Sequence, residues 1–274
     1  MLGKTIAIFS QKGGVGKTTT TINLAAAFAL EHRKVLIIDA DPQGSATAAL
    51  GYRNENDYKV SLSTLMEREI NGERIGAEGA IIHNKEKFDL IPSNIELAGI
   101  DMRLLSVMSR ETVLKECLAD IKDKYDYILI DCMPSLSMLP INALAASDSV
   151  LIPIQPQYLS VKGMDQLLST IAKVKRQINP DLTVEGIVLT ITDMRTNLAQ
   201  AVKEAVIRQY SDKFHVFTAE IPKATAAAEA SAAGVSIFMH DAQNKAADAY
   251  YDLAKEVMSR GERVLFRDAD ERYR

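Results

Sequence analysis

The chain has 274 residues, 47% hydrophobic and 25% charged, which suits one large α/β domain whose core needs neither disulfides nor a structural metal. A formal net charge of −4 excludes a global positive field drawing the molecule to nucleic acid or an anionic membrane, so any such binding must come from a local patch. The two cysteines, Cys117 and Cys132, lie far apart and in no metal-ligand spacing; they read as reduced, buried thiols, with neither zinc nor a disulfide expected.

Residues 5–9 are a β-branched run and read as a buried strand that leaves no room for a signal peptide. No apolar run is long enough to cross a bilayer, and the expected location is the cytoplasm. A glycine-rich turn from Gln11 to Gly16 comes next, then a helical stretch over 18–30 with Ile22, Ala25, Ala26 and Ala29 on one face. Strand, glycine loop and helix in that order are the context of a phosphate-binding P-loop. Glycines let backbone N–H groups converge on phosphate oxygens, the helix N-terminus adds its dipole, Lys17 supplies full charge, and Thr18 stands where a hydroxyl can meet Mg²⁺. The ordinary pattern G-x-x-x-x-G-K-[ST] wants glycine where this chain has Gln11, and a second lysine, Lys12, opens the loop.

The next strand, 35–38, ends in Asp39-Ala40-Asp41-Pro42-Gln43-Gly44. Residues 51–87 are less periodic and carry Gly72, Gly76 and Gly79, so they read as a surface excursion with short helices. A strand at 88–91 and a helical stretch at 109–122 precede a strand at 127–130 that ends in Asp131. Carboxylates at the C-terminal ends of parallel strands stand in the crevice where α/β proteins bind ligands. Strands at 150–154, 184–191 and 216–221 then alternate with helical stretches at 163–178, 198–209 and 246–258. Continuous apolar strands separated by helices predict a single-domain, doubly wound, mostly parallel sheet flanked by helices. The domain is expected over residues 1–260, with a charged tail at 261–274 that frays or ends as a solvated helix. The histidines, His32, His83, His215 and His240, are scattered and assigned to structure or surface.

The loop Lys12-Gly13-Gly14-Val15-Gly16-Lys17-Thr18-Thr19 resembles the deviant Walker A motif of the ParA/MinD family of P-loop ATPases, a branch of the nitrogenase-iron-protein-like class. The resemblance implies ATP binding along residues 12–19, with Lys12 reaching across an ATP-bound homodimer to the partner's phosphates. Asp39-x-Asp41-Pro42-Gln43-Gly44 is similar to the switch I motif, which implies that Asp41 orients the hydrolytic water and that Asp39 is the more structural carboxylate. Ile130-Asp131-Cys132-Met133-Pro134-Ser135 resembles the Walker B segment, usually D-C-P-P-S with proline where Met133 stands, and implies that Asp131 holds Mg²⁺ through water. The catalytic set so implied is Lys12, Lys17 and Asp41, with Thr18 and Asp131 serving the metal.

Four later stretches point to ParA/Soj-type DNA partition ATPases. Residues 153–163 are similar to a segment that shapes the dimer face, and residues 247–256 look like the family's final helix. Asp193-Met194-Arg195-Thr196-Asn197-Leu198 resembles the partition-protein segment whose arginine binds DNA. Ile221-Pro222-Lys223 matches I-P-R, with Pro222 near the base. The resemblance implies a cytoplasmic, nucleoid-associated ATPase that dimerises on Mg-ATP and coats nonspecific double-stranded DNA. It would hydrolyse slowly until a ParB-like partner stimulates it, segregating a plasmid or chromosome, with no membrane partner. Arg195 and Lys223 lead the DNA-binding candidates, ahead of Lys203 and Arg208. Together with Lys213 they face Glu204, Asp212 and Glu220, a modest cationic excess that a dimer would double. The family's basic stretch after I-P-R is replaced by neutral Ala224-Thr225-Ala226-Ala227-Ala228. A MinD-like membrane-positioning ATPase would need a basic amphipathic C-terminal helix, whereas 261–270 holds one short apolar cluster among many acids. A metabolic P-loop enzyme would need either cluster cysteines, of which only Cys132 sits near the nucleotide end, or a substrate pocket.

Overall fold

The computed structural model describes residues 3–73, 76–193 and 195–272. Eight strands form one sheet: β1 (Lys4–Ile8), β2 (Val35–Ala40), β3 (Ile82–His83), β4 (Asp89–Ile91), β5 (Tyr127–Cys132), β6 (Ser149–Ile154), β7 (Thr183–Thr192) and β8 (Val216–Pro222). Their order is β3-β4-β2-β5-β1-β6-β7-β8, every neighbouring pair parallel except β3 with β4. Parallel neighbours need crossovers, and the sequence supplies helices for them. These begin with α1 (Lys17–Leu30), α2 (Ser45–Ala49), α3 (Leu62–Ile70), α4 (Leu97–Leu104), α5 (Val113–Leu118) and α6 (Met138–Ala146). The later ones are α7 (Tyr158–Gln177), α8 (Asn197–Tyr210), α9 (Thr225–Ala233), α10 (Ile237–His240) and α11 (Lys245–Arg272).

Side chains alternate across each strand, so both faces of the sheet are buried. Ile6, Ile8, Val35 and Ile37 join one core with α1 and α11, while Ala7, Phe9, Leu36 and Ile38 join the other with α3, α5 and α6. From β1 the chain crosses to β2 on one side, whereas β6 pairs with β1 on the other. The crevice of a doubly wound sheet opens where the strand order reverses, and the glycine loop leaves β1 there.

Several elements depart from the local pattern. The helix expected over 109–122 is confined to Val113–Leu118; Ser109 takes φ 52 before it, and a tight turn at Lys122–Lys124 after it lets Ile121 and Tyr125 into the core. Within 51–87, α3 buries Leu62 and Met66 completely, and β3 adds an antiparallel edge strand. The last helix runs on through the charged stretch to Arg272. The side chains of 262–272, which include the short apolar cluster of the tail, lie outside the described residues. No helix among the described residues is long and apolar enough to cross a membrane.

Candidate functional site

The loop between β1 and α1 depends on two glycines: Gly14 at φ 73 and Gly16 at φ 83 sit in the left-handed region that L side chains rarely adopt. Gly16 also caps α1, which carries no side-chain cap and no acid in its first turn. The exposed dipole end and the loop amides therefore form a cradle for an anion. Lys17 is buried at the base of this cradle, with Nζ 3.5 Å from the Lys12 carbonyl. Burial pulls its pKa below the usual lysine value, and the Asp131 carboxylate opposes that pull. A cation held partly desolvated next to a phosphate cradle gains more from an anionic ligand than it would in water.

Asp39 and Asp131 are register partners at the C-terminal ends of β2 and β5. Both are fully buried, which is why both carboxyls are held above the ordinary range; for Asp131 the neighbouring Asp39 charge adds to the rise. Their hydrogen bonds separate their tasks. Asp39 accepts from Thr47 N at 2.8 Å, Thr47 Oγ1 at 2.7 Å and Asp41 N at 3.2 Å, so it ties β2 to α2 and shapes the turn between them. Asp131 accepts from Thr18 Oγ1 at 2.7 Å and Thr21 Oγ1 at 3.3 Å. Asp41 stands on that turn, half-buried, accepting Gln43 N at 2.9 Å, and its charge reaches Lys17.

The Thr18–Asp131 pair fits a hard divalent cation. It offers a hydroxyl and a buried carboxylate whose pKa is raised by burial and by the neighbouring Asp39 charge, both of which a bound cation would offset. Among the described residues no group of three or more His, Cys, Asp or Glu side chains could hold a metal. A cation at Thr18 and Asp131 would therefore complete its shell with water and ligand oxygens, the habit of Mg²⁺.

Lys12 points along its own subunit, donating to Gln157 Oε1 at 2.6 Å just before α7. On the other flank, a cavity of about 830 Å³ is lined by Thr192, Asp193, Arg195, Pro222 and Lys223, with Glu220 and Lys245 beside them. Arg195 is mostly exposed and held in a two-pronged pair with Asp193, at 2.7 Å and 2.8 Å. Lys223 joins the same rim, its N–H donating to the Thr192 carbonyl. Lys203 is paired with Glu220, and Arg208 is exposed on the last turn of α8. Arg195 and Lys223 thus meet at one cavity, while Lys203 is occupied locally and Arg208 stands apart. Met194, between Asp193 and Arg195, lies outside the described residues.

Three residues that no motif singled out support the site from behind: Thr21, Thr47 and Thr190, whose Oγ1 donates to the Val15 carbonyl at 2.7 Å, while Gln157 belongs to the 153–163 segment. Thr21 was detectable, because a residue three positions after Thr18 shares its helix face. Thr47 and Thr190 had no local signal.

A family model described as an AAA domain matches residues 3–184. The sporulation initiation inhibitor protein Soj of Bacillus subtilis is 44% identical over 260 residues, which cover 95% of this chain and all of that protein. The chromosome partitioning protein ParA of Myxococcus xanthus is 41% identical, over 94% of this chain and 89% of its own. Among solved structures, cobyrinic acid a,c-diamide synthase of Mycobacterium smegmatis, with bound ADP and magnesium, superposes with a TM-score of 0.79 at 33% identity. That match covers 92% of this chain and 93% of the other.

Proposed function

Because this chain belongs to the ParA/Soj family of P-loop partition ATPases, we propose that it is a Mg-ATP-dependent molecular switch that moves DNA. The observation that carries the proposal is the convergence of Lys17, Thr18 and Asp131, with Asp41 beside them, at the mouth of a glycine cradle. Residues 12–19 hold the triphosphate, and Pro222 borders the base in the cavity beside it. Lys17 neutralises phosphate charge and Thr18 and Asp131 hold Mg²⁺, Asp131 through a water molecule. Magnesium, when bound, neutralises charge on the β- and γ-phosphate oxygens. Asp41 accepts a hydrogen bond from the attacking water and orients it. Phosphoryl transfer needs positioning and charge neutralisation more than covalent chemistry, so this set suffices for slow turnover.

Lys12 then leaves Gln157 and reaches the phosphates of a second subunit, closing a homodimer. Closure doubles the patch formed by Arg195 and Lys223, with Lys203 and Arg208 contributing less, and raises affinity for nonspecific double-stranded DNA by the number of phosphates neutralised. A ParB-like partner stimulates hydrolysis and releases the DNA, and the protein works at the nucleoid in the cytoplasm. Arg195 has to leave Asp193 to meet a phosphate; an exposed pair of this kind is weak enough to allow it.

The test is DNA binding over a salt series with ATP, ADP or no nucleotide. Tight, salt-sensitive binding with ATP alone, lost in Arg195→Glu with dimerisation intact, is the expected result; equal binding in all three states refutes the switch. The synthase relative supports a second reading, a metabolic enzyme on the same scaffold. Turnover that depends on a metabolite and ignores DNA would establish that reading instead.

A further inference from the structure

Ile191 has φ 54, a left-handed conformation that a β-branched side chain rarely tolerates. Strain of this kind persists only where the surroundings enforce it, and it collects at functional sites. The surroundings here are the phosphate loop on one side and the rim of the 830 Å³ cavity on the other. On the loop side, buried Thr190 Oγ1 donates to the Val15 carbonyl at 2.7 Å, and Ile191 Cδ1 lies 3.8 Å from where a Cβ on Gly16 would stand. On the rim side, β7 slips register against β8 between Leu189 and Thr192, three steps on β7 against two on β8, an interval that contains Thr190 and Ile191. Immediately after the slip, the Thr192 carbonyl accepts Lys223 N–H at 3.0 Å and Thr192 Oγ1 donates to the Ile221 carbonyl at 3.3 Å.

We propose that Thr190 and Ile191 are positioning residues that transmit the state of the phosphate loop to the cationic rim at Lys223. An anion in the loop draws the Val15–Gly16 amides inward. The Thr190 hydroxyl follows the Val15 carbonyl, Ile191 follows Gly16, and the bulge passes the displacement to Thr192 and so to the Lys223 N–H. A threonine hydroxyl bonded to a carbonyl is by itself an ordinary structural contact. The strained isoleucine next to it, sitting on the register slip, gives the contact a second position to move to.

The inference rests on the reading of the loop as a triphosphate site, and the probe separates the two. Magnesium tripolyphosphate carries the phosphate charge of ATP without the base or ribose, so it can fill the loop without touching Pro222 or Lys223. Hydrogen exchange at the Lys223 amide is followed in the full chain with and without it, together with the melting temperature. In the wild type, tripolyphosphate should raise the melting temperature and slow exchange at Lys223 at least threefold. Thr190→Val and Ile191→Gly should keep the thermal response and lose the exchange response, and Thr190→Ser, which restores the hydroxyl, should recover it. The proposal is overturned if Lys223 exchange does not respond in the wild type despite a thermal shift, or if Thr190→Val and Ile191→Gly respond like the wild type. If neither ATP nor tripolyphosphate shifts the melting temperature, the triphosphate reading falls and takes this one with it.

Discussion

Replacing Asp131 by asparagine should make the nucleotide-free protein more stable at pH 8. The Asp131 carboxyl is fully buried beside Asp39 and pushed up to about 8, against a usual aspartate value near 3.8. Between those two values the folded chain holds a proton that the unfolded chain has released, so folding stability falls as pH rises. From pH 6 to pH 8 the unfolded state follows the full slope of about 1.4 kcal/mol per unit, while the folded state begins to release the proton only near the upper end. The net loss from this one group is about 2 kcal/mol. Lys17 has its pKa lowered by burial and acts with the opposite sign: between its folded and unfolded values the unfolded chain holds the extra proton, so stability rises with pH there. In Asp131→Asn the amide oxygen can still accept the Thr18 hydroxyl, and the loss disappears. In magnesium-free buffer the gap by which the variant melts above wild type should widen by roughly 4–8 °C from pH 6 to pH 8. Wild-type melting that is flat across this range, or a variant that melts lower at pH 8, would refute the reasoning.

Lys17→Ala removes the charge at the base of the cradle and should weaken ATP binding at least 100-fold by titration calorimetry, roughly 3 kcal/mol, with the fold intact by circular dichroism. Asp41→Ala should lower the hydrolysis rate by about 100-fold while ATP affinity stays within a few-fold, leaving an ATP-bound dimer that stays on DNA; unchanged phosphate release would show that Asp41 does not orient the water. Gly234→Ala should destabilise by about 2–4 kcal/mol in urea melts, because the residue sits at φ 72 and its new Cβ would lie 2.9 Å from Gly51 Cα. Gly99→Ala, on α4 with nothing within 4 Å of the new atom, should be neutral or stabilise by up to about 1 kcal/mol.

Much of this site was legible before any fold was known. A P-loop is a local object: its strand, its glycines at 14 and 16 and its lysine lie within about fifteen residues, and the backbone conformations they require are intrinsic to those residues. Asp39 and Asp131 were legible for a related reason, since each closes an apolar run and parallel strands present their C-terminal ends together. The separate tasks of the two carboxylates were not derivable from the residues alone, because they depend on which hydroxyl each one meets. Thr47 reaches Asp39 by way of α2, and Thr18 and Thr21 reach Asp131 across 113 and 110 residues.

The sequence by itself determined seven of the eight described strands, their alternation with the longer helices, the mostly parallel sheet and the anion cradle, because apolar periodicity and glycine punctuation act between near neighbours. Tertiary structure decided the rest. It decided that β3 turns antiparallel at the edge, that Lys12 rests on Gln157, that Lys203 is held by Glu220 while Arg195 and Lys223 share a cavity, and that Thr190 grips Val15 from 175 residues away. The Lys12–Gln157 and Thr190–Val15 contacts join polar groups 145 and 175 residues apart. A lone threonine, glutamine or lysine carries no pattern that names its partner, so only packing of the whole sheet brings the pairs together.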